Sequence, residues 1–402
     1  MRKLGISIYP EHSTEEKDYE YIKLASRHGF SRIFTCLLSV KDTKDNSIKN
    51  FKSFILKAHE LGFKVSVDTN REVFEFFGAT ASDISVFARM GVDIIRLDWA
   101  MSDYENIILT NNPYSIMIEF NASSDMSLDL LIKNGANRTN MSTCHNFYPQ
   151  EYTGLSKRRF DYFTDKYYKQ ALPVHGFISS NNENTFGPWP VYKGLCTLEE
   201  HRGKDIGYQL RYMIANRKIN DIIIGNAYAS EEELEKLGKI DLSIPSLEVD
   251  ENYDIIKVEK EIMYNFTHSD RIDSSEYFIR SSVTRSYGND KDIPYRNCKK
   301  EYFEKGDILI VNNNLSHYRG ELEIVKKKIK NTGERNLVGR LNFDEQVIMD
   351  MISEKNPFKL IKGEKNEWWN QYSVVLFSRD EYKFSSWEYE KSSWWKGNKC
   401  KD

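Results

Sequence analysis

The sequence predicts an α/β protein, a (β/α)8 TIM-type barrel of eight parallel strands followed by a smaller β-rich domain. Three observations carry this expectation. Short apolar strand candidates alternate with helical stretches eight times over about 240 residues, the grammar of a barrel. The helical stretches place apolar residues at three- and four-residue intervals and stop on glycines. No GxGxxG loop follows the first strand candidate, which disfavours the rival arrangement, an open doubly wound sheet.

In chain order the strand candidates read LGISIYPE (4–11), RIFTCLL (32–38), KVSVDTN (64–70), IIRLDWA (94–100), SIMIEFNAS (115–123), GANRTNMS (135–142), PVHGFISS (173–180) and DIIIGNAYAS (221–230). Between the first three lie EKDYEYIKLASRHGF and NSIKNFKSFILKAHELGF, amphipathic helices stopped by Gly29 and Gly62. After IDLSIPSLEVD (240–250) the pattern changes. YDIIKVEKEI, SEYFIRSSVTR, DILIVNNN and GELEIVKKKI read as strands with turn signals between them, and FDEQVIMDMI (343–352) reads as a helix. The expected divisions are a barrel over 1–245, a β-rich domain over 252–362, plausible as a compact barrel, and a C-terminal extension over 363–402. That extension crowds Trp368, Trp369, Trp387, Trp394 and Trp395 among Ser, Lys and Glu without periodicity, and no chemistry is assigned to it.

Composition narrows the function classes. A 402-residue chain with 40% hydrophobic residues is long enough for a sizeable core. A net charge of -3 provides no basic field for nucleic acid, and no run of about 18 apolar residues provides a membrane span. The five cysteines are scattered without a CxxC pair, which argues against a disulfide framework or a zinc site and for a reduced, cytoplasmic setting. The N-terminus runs MRKLGISIYPEHS straight into a strand with no long apolar leader.

In such a barrel the C-terminal strand ends build the active site, so polar residues there are the candidates. They are Glu11 after strand one, Asp68 and Asn70 at strand three, Asp98 at strand four, Glu119 and Asn121 at strand five, and Asn140 and Ser142 at strand six. His145, Asn146 and Tyr148 follow in the next loop, and Asn226 and Tyr228 end strand eight. The four carboxylates could in principle hold a hard cation, but metal-free carboxylate chemistry is more economical, because glycoside hydrolysis needs one carboxyl as acid and another as nucleophile or base. No metal and no cofactor is expected. Adjacent strands four and five would set Asp98 and Glu119 near the roughly 5 Å separation of a retaining pair. The apolar neighbours of Glu119 would raise its pKa and suit it to the acid role, whereas Asp98 could also simply pair with Arg96 or Arg138. Tyr152 in TCHNFYPQEYTGL (143–155) and Trp189 in FGPWP (186–190) could stack on or read a sugar. Arg280, Arg285 and Arg319 suit recognition of an anionic substituent, or merely cover a sheet face. The start of the helix after strand eight, at Ala229 and Ser230, is a second candidate anion site.

LGISIYPE, RIFTCLLS, IRLDWA, TCHNFYPQEYTGLS, GPWPVYKGLCTLEEHR and YRGELEIV together resemble the bacterial 6-phospho-N-acetylmuramidase family, over roughly residues 3–361. The resemblance implies a (β/α)8 barrel followed by a cyclophilin-like β-barrel domain. It implies a cytoplasmic hydrolase of peptidoglycan recycling that cleaves N-acetylmuramic acid 6-phosphate from the N-acetylglucosamine of a phosphorylated disaccharide. That substrate is a small molecule with a phosphate, a lactyl carboxylate and a 2-acetamido group whose oxygen could itself attack the anomeric carbon. The leading assignment is Glu119 and Asp98 as the catalytic pair with Glu11 and Asp68 in support. Hydrolysis of another 6-phospho-glycoside and non-catalytic phosphosugar sensing are the alternatives. The oligomeric state stays open, a homodimer among the options.

Overall fold

A computed structural model describes residues 2–37, 43–99, 101–190, 193–354 and 356–363. The Trp-rich extension beyond Gly363 lies outside the described residues, as does Leu38 at the end of the second strand candidate.

Eight parallel strands close into a barrel: β1 (Leu4–Ser7), β2 (Phe30–Cys36), β3 (Lys64–Thr69), β4 (Ile94–Leu97), β5 (Met117–Asn121), β6 (Met141–Cys144), β7 (Val174–Ile178) and β8 (Ile219–Ile224), with β8 pairing back to β1. Ile33, Val65, Val67, Ile95 and Ile118 are fully buried in the main apolar core, which is why these strands read as near-continuous apolar runs. Local chemistry sets the helix starts. Thr14 accepts the Lys17 N–H ahead of the helix Glu15–Arg27, and Thr43 accepts that of Asn46 ahead of Lys44–Glu60. Gly29 and Gly62 follow these helices with φ of 84° and 83°, a conformation that suits glycine.

The barrel's interior mixes a small apolar cluster, Phe34, Phe177 and Ile223 among it, with buried polar groups. Arg32, Asp68, Arg96, Glu119, Ser142 and His175 are all buried and contact one another in two groups. Two expectations need correction here. Strand six begins at Met141, because Gly135 stops the preceding helix and residues 138–140 form a short 3-10 turn. Asn140 therefore precedes the strand instead of ending it, and its amide donates to the carbonyls of Thr110 and Ile116, at the end of the barrel away from the mouth.

The C-terminal region forms a mixed sheet from β9 (Ser246–Glu251), β10 (His268–Ser269), β11 (Phe278–Arg280), β13 (Asp307–Val311), β14 (Leu322–Val325), β16 (Arg335–Arg340) and β17 (Pro357–Lys362). Its order is β10-β17-β9-β16-β13-β14-β11, while β12 (Tyr302–Phe303) and β15 (Ile329–Lys330) make a separate ribbon. An antiparallel bridge between Asp270 and Ser281 joins the two ends, so the sheet is nearly closed. The YDIIKVEKEI run is a helix over Lys257–Tyr264, not a strand. Its Glu259 reaches back to the Ile256 N–H, and Glu259, Ile262 and Met263 are buried at helical spacing.

Barrel and sheet belong to one compact unit ending at Lys362 and share one apolar cluster. Arg211 on the helix Ile206–Asn216 joins them by ion pairs to Glu248 at 2.9 Å and to Glu345 on the helix Phe343–Met349. No helix among the described residues is long and apolar enough to cross a membrane.

Candidate active site at the barrel mouth

Asp68 and Arg96 are register partners on β3 and β4, so their side chains meet inside the barrel near its C-terminal rim. Arg96 Nη1 donates to Asp68 Oδ1 at 2.6 Å and lies 3.5 Å from Asp98 Oδ1. Its Nη2 donates to Asn146 Oδ1. Two carboxylates on one nitrogen have their facing oxygens within about 6 Å of each other. Asp68 is only 4% exposed, whereas the Asp98 side chain is 38% exposed toward solvent. Burial raises the Asp68 pKa to about 6; Arg96 opposes the rise, and the charges of Asp98 and Glu119 add to it.

Beside this group lies an aromatic floor. Phe34, Phe147 and Phe177 meet edge to face with centroids 5.1–5.9 Å apart. The ring of Trp189, 42% exposed, stands 6.4 Å from that of Phe147. Trp189 also lines a cavity of about 970 Å3 together with Glu11, His12, Asp18 and Lys49. That size suits a small ligand, and the lining reaches the mouth through Trp189 but includes none of Asp68, Arg96 and Asp98.

Glu119 adjoins the Asp68 and Arg96 pair in register but is held by a different arginine. It occupies the middle of β5, opposite Arg96 in register and two residues below Asp98, and is fully buried instead of placed at the rim. Arg32 Nη2 donates to its Oε2 at 2.5 Å, Ser142 Oγ donates at 3.3 Å, and His175 Nε2 lies 3.7 Å away. Arg32 also holds Asp221 at 2.9 Å. Burial alone would raise the Glu119 pKa, but the positive charges around it, Arg32 foremost, outweigh burial and hold it below the usual carboxylate range. The expected upward shift is thus reversed. Burial and Arg32 push the His175 pKa down, so at neutral pH Arg32 is the counter-charge.

The remaining candidates divide by what already holds them. Asn70 caps the helix Arg71–Phe77 by accepting the Val73 N–H at 2.9 Å, and Asn121 accepts the Ser123 N–H at 2.8 Å. Asn226 clamps the ends of β7 and β8 through three hydrogen bonds to Ser179 and Ser180. Tyr228 donates to Asp18 at 2.6 Å. His145 is fully buried, packed 4.8 Å from the Phe160 ring and bonded to Thr164 at 2.9 Å, and burial drives its pKa to about 3. Neither backbone amide of the second candidate anion site is available. The Ala229 N–H bonds to the Tyr21 hydroxyl and that of Ser230 to Glu233. Arg280 pairs with Glu321 at 2.6 Å, whereas Arg285 donates to His317 at 2.9 Å and Arg319 to the Asn289 carbonyl, so the three lie in the C-terminal region and away from the barrel mouth. Among the described residues no group of three or more His, Cys, Asp or Glu is placed to hold a metal.

Two residues of this site, Phe147 and Arg96, are not among the sequence-predicted candidates, Arg96 entering there as an ion-pair partner of Asp98 alone. The signal for Arg96 was there: it precedes Asp98 by two on a strand, hence on the same face.

The loop carrying Asn146 to Tyr152 is fixed by Glu199. Arg202 first, and then the N–H groups of Tyr152 at 2.7 Å and Gly154 at 2.8 Å, pull its pKa down to about 2. A Cβ on Gly154 would lie 2.6 Å from Glu199 Oε2 and 2.7 Å from its backbone nitrogen. Gly154→Ala is therefore expected to cost about 1–3 kcal/mol in urea unfolding and to raise KM more than it lowers kcat; unchanged stability would show that the loop is not held this way.

Two family models, described as 6-phospho-N-acetylmuramidase, N-terminal, and 6-phospho-N-acetylmuramidase, C-terminal, match residues 4–239 and 245–361. Among solved structures, the chain is similar to an uncharacterized B. cereus protein at 41% identity and a TM-score of 0.82, covering 90% of this chain and 99% of that one. A conserved protein of unknown function from Enterococcus faecalis shares the fold at 22% identity and a TM-score of 0.65, covering 93% and 99%. No curated protein matches the chain.

Proposed function

Since the chain belongs to the 6-phospho-N-acetylmuramidase family and is a glycosidase, we propose that it releases N-acetylmuramic acid 6-phosphate from N-acetylglucosamine in a phosphorylated disaccharide, in cytoplasmic cell-wall recycling. The observation that carries the mechanistic reading is the pair on Arg96: a buried Asp68 with its pKa near 6 beside a solvent-facing Asp98. Two carboxyls in such unlike environments take different roles. Asp68, protonated over a useful fraction of the time near neutrality, donates the proton to the leaving glycosidic oxygen. Asp98 is the carboxylate on the other side of the reaction, either attacking the anomeric carbon or orienting the 2-acetamido oxygen that does so.

In this reading Trp189 offers its half-exposed face to a sugar ring, and Asn146 and Tyr148 border the ring's hydroxyl and amide groups. Glu119 serves as counter-ion to Arg32 beneath the site and touches no substrate.

Incubation with the phosphorylated disaccharide and with its unphosphorylated twin tests the substrate. N-Acetylglucosamine is expected from the former at a rate at least about 100-fold higher, since a charged substituent that is bound and then missing leaves its partners unpaired. No release from the phosphorylated form overturns the proposal.

A further inference from the structure

We propose that the sheet region carries an oxyanion site of its own, formed by Arg280 and Arg285 on the Tyr318 ring with Arg319 next to it in the chain, and that it takes a phosphate dianion, free or as a monoester. The proposal does not depend on the reaction assigned to the barrel mouth.

The site begins with backbone packing. Thr284 Oγ1 accepts the Leu322 N–H at 3.0 Å, and the Ser281 N–H donates to the Leu322 carbonyl at 2.9 Å, tying the segment before the helix Thr284–Gly288 to β14. Gly288 and Gly320 then press backbone against backbone. A Cβ on Gly288 would lie 2.4 Å from the Gly320 Cα, and one on Gly320 would lie 2.3 Å from the Gly288 Cα. No other residue fits either position without displacing the chain, so the helix bearing Arg285 is seated on the turn bearing His317, Tyr318 and Arg319.

That seating gathers positive charge. The Tyr318 ring lies 4.5 Å from the Arg285 guanidinium carbon and 5.9 Å from that of Arg280. Arg285 Nη2 donates to His317 Nε2 at 2.9 Å; a guanidinium can only donate, so His317 accepts through a lone pair and adds no negative charge. Arg319 donates to the Asn289 carbonyl and to Asn313 Oδ1, both neutral, and its buried Nε has no hydrogen-bond partner among the described residues. Among the described residues neither Arg285 nor Arg319 forms an ion pair with a carboxylate. Arg280 pairs with Glu321 through Nε at 2.6 Å, and among the described residues its two terminal nitrogens have no hydrogen bond.

Arg280 and Arg285 thus share the Tyr318 ring and Arg319 follows that residue in the chain, and among the described residues Glu321 is the one carboxylate in an ion pair with any of the three, in a chain whose net charge is -3. Neutral acceptors, a ring face and a glycine contact hold them there, an arrangement that lacks its anion. Planar forks of this kind match the oxygens of a phosphate, and more than one positive charge left over favours a dianion over a monocarboxylate.

The test is calorimetric titration of the full chain at fixed ionic strength with inorganic phosphate, glucose 6-phosphate and lactate, in wild type, R285A, R319A and Asp68→Asn. Phosphate and glucose 6-phosphate are expected to bind, and lactate at least about tenfold more weakly. R285A and R319A should lose phosphate binding by about tenfold or more, and Asp68→Asn should keep it. Preference for glucose 6-phosphate over free phosphate identifies a sugar phosphate as the source, and the reverse identifies the free ion. If either alanine variant fails to fold, Arg285→Lys, which keeps the charge but loses the fork, replaces it and should bind more weakly than wild type. Phosphate binding unaffected by these substitutions, binding abolished by Asp68→Asn, or no binding to wild type overturns the proposal.

Discussion

Asp68→Asn is expected to lower kcat on the phosphorylated disaccharide by about 10²–10⁴-fold. The amide keeps the size of the side chain and an oxygen for Arg96 Nη1 but has no proton to give the leaving oxygen. Wild-type activity should fall as pH rises through about 6, the Asp68 value, because the acid form is the working form. The same shift fixes a stability trend. The folded pKa of Asp68 is above its unfolded value near ~3.9, so the stability linked to it is fully present below that value. It is lost as pH rises through about 6. Asp68→Asn should remove this slope from the pH dependence of urea unfolding. An Asp68→Asn enzyme within threefold of wild type would remove Asp68 from the acid role.

Glu119→Gln is expected to be the costliest substitution for stability, at about 3–5 kcal/mol in urea unfolding at pH 7. It deletes the charge that compensates Arg32 where both side chains are at most 1% exposed, and among the described residues Asp221, 16% exposed, is the one carboxylate left on Arg32. Here the linkage runs the other way. The folded pKa of Glu119 is lowered, so its contribution is present above the unfolded value and is lost as pH falls through the folded one. The wild-type advantage over Glu119→Gln should accordingly shrink in acid. A variant that unfolds like wild type but has lost all turnover would restore Glu119 to the chemistry.

The contrast between these two carboxylates shows how far the sequence reaches. Alternation of strand and helix is a local signal repeated eight times, and it places Asp68 and Asp98 near the ends of their strands. Glu119 has the inward parity of a site residue but lies mid-strand, and parity says nothing about depth. Its partner Arg32 comes from a strand 87 residues away in sequence, so only the closed barrel brings them together. Asn140 was misplaced because polar residues before a short strand look like polar residues after one. The helix at Lys257–Tyr264 was misread because its isoleucines and valine suit either period over so short a run. The arginines of the sheet region were visible one by one, but their grouping rests on the Gly288 and Gly320 contact, which is a tertiary fact.

The most direct test of Asp68 as the proton donor is to compare Asp68→Asn with wild type on two N-acetylmuramic acid 6-phosphate glycosides. One carries N-acetylglucosamine as leaving group; the other carries dinitrophenolate, which departs without a proton. The account expects the variant to lose about 10²–10⁴-fold in kcat/KM on the first and less than about tenfold in kcat/KM on the second, because kcat/KM reports the bond-breaking step and not the later hydrolysis, in which Asp68 acts as the base. Equal losses on both would contradict it.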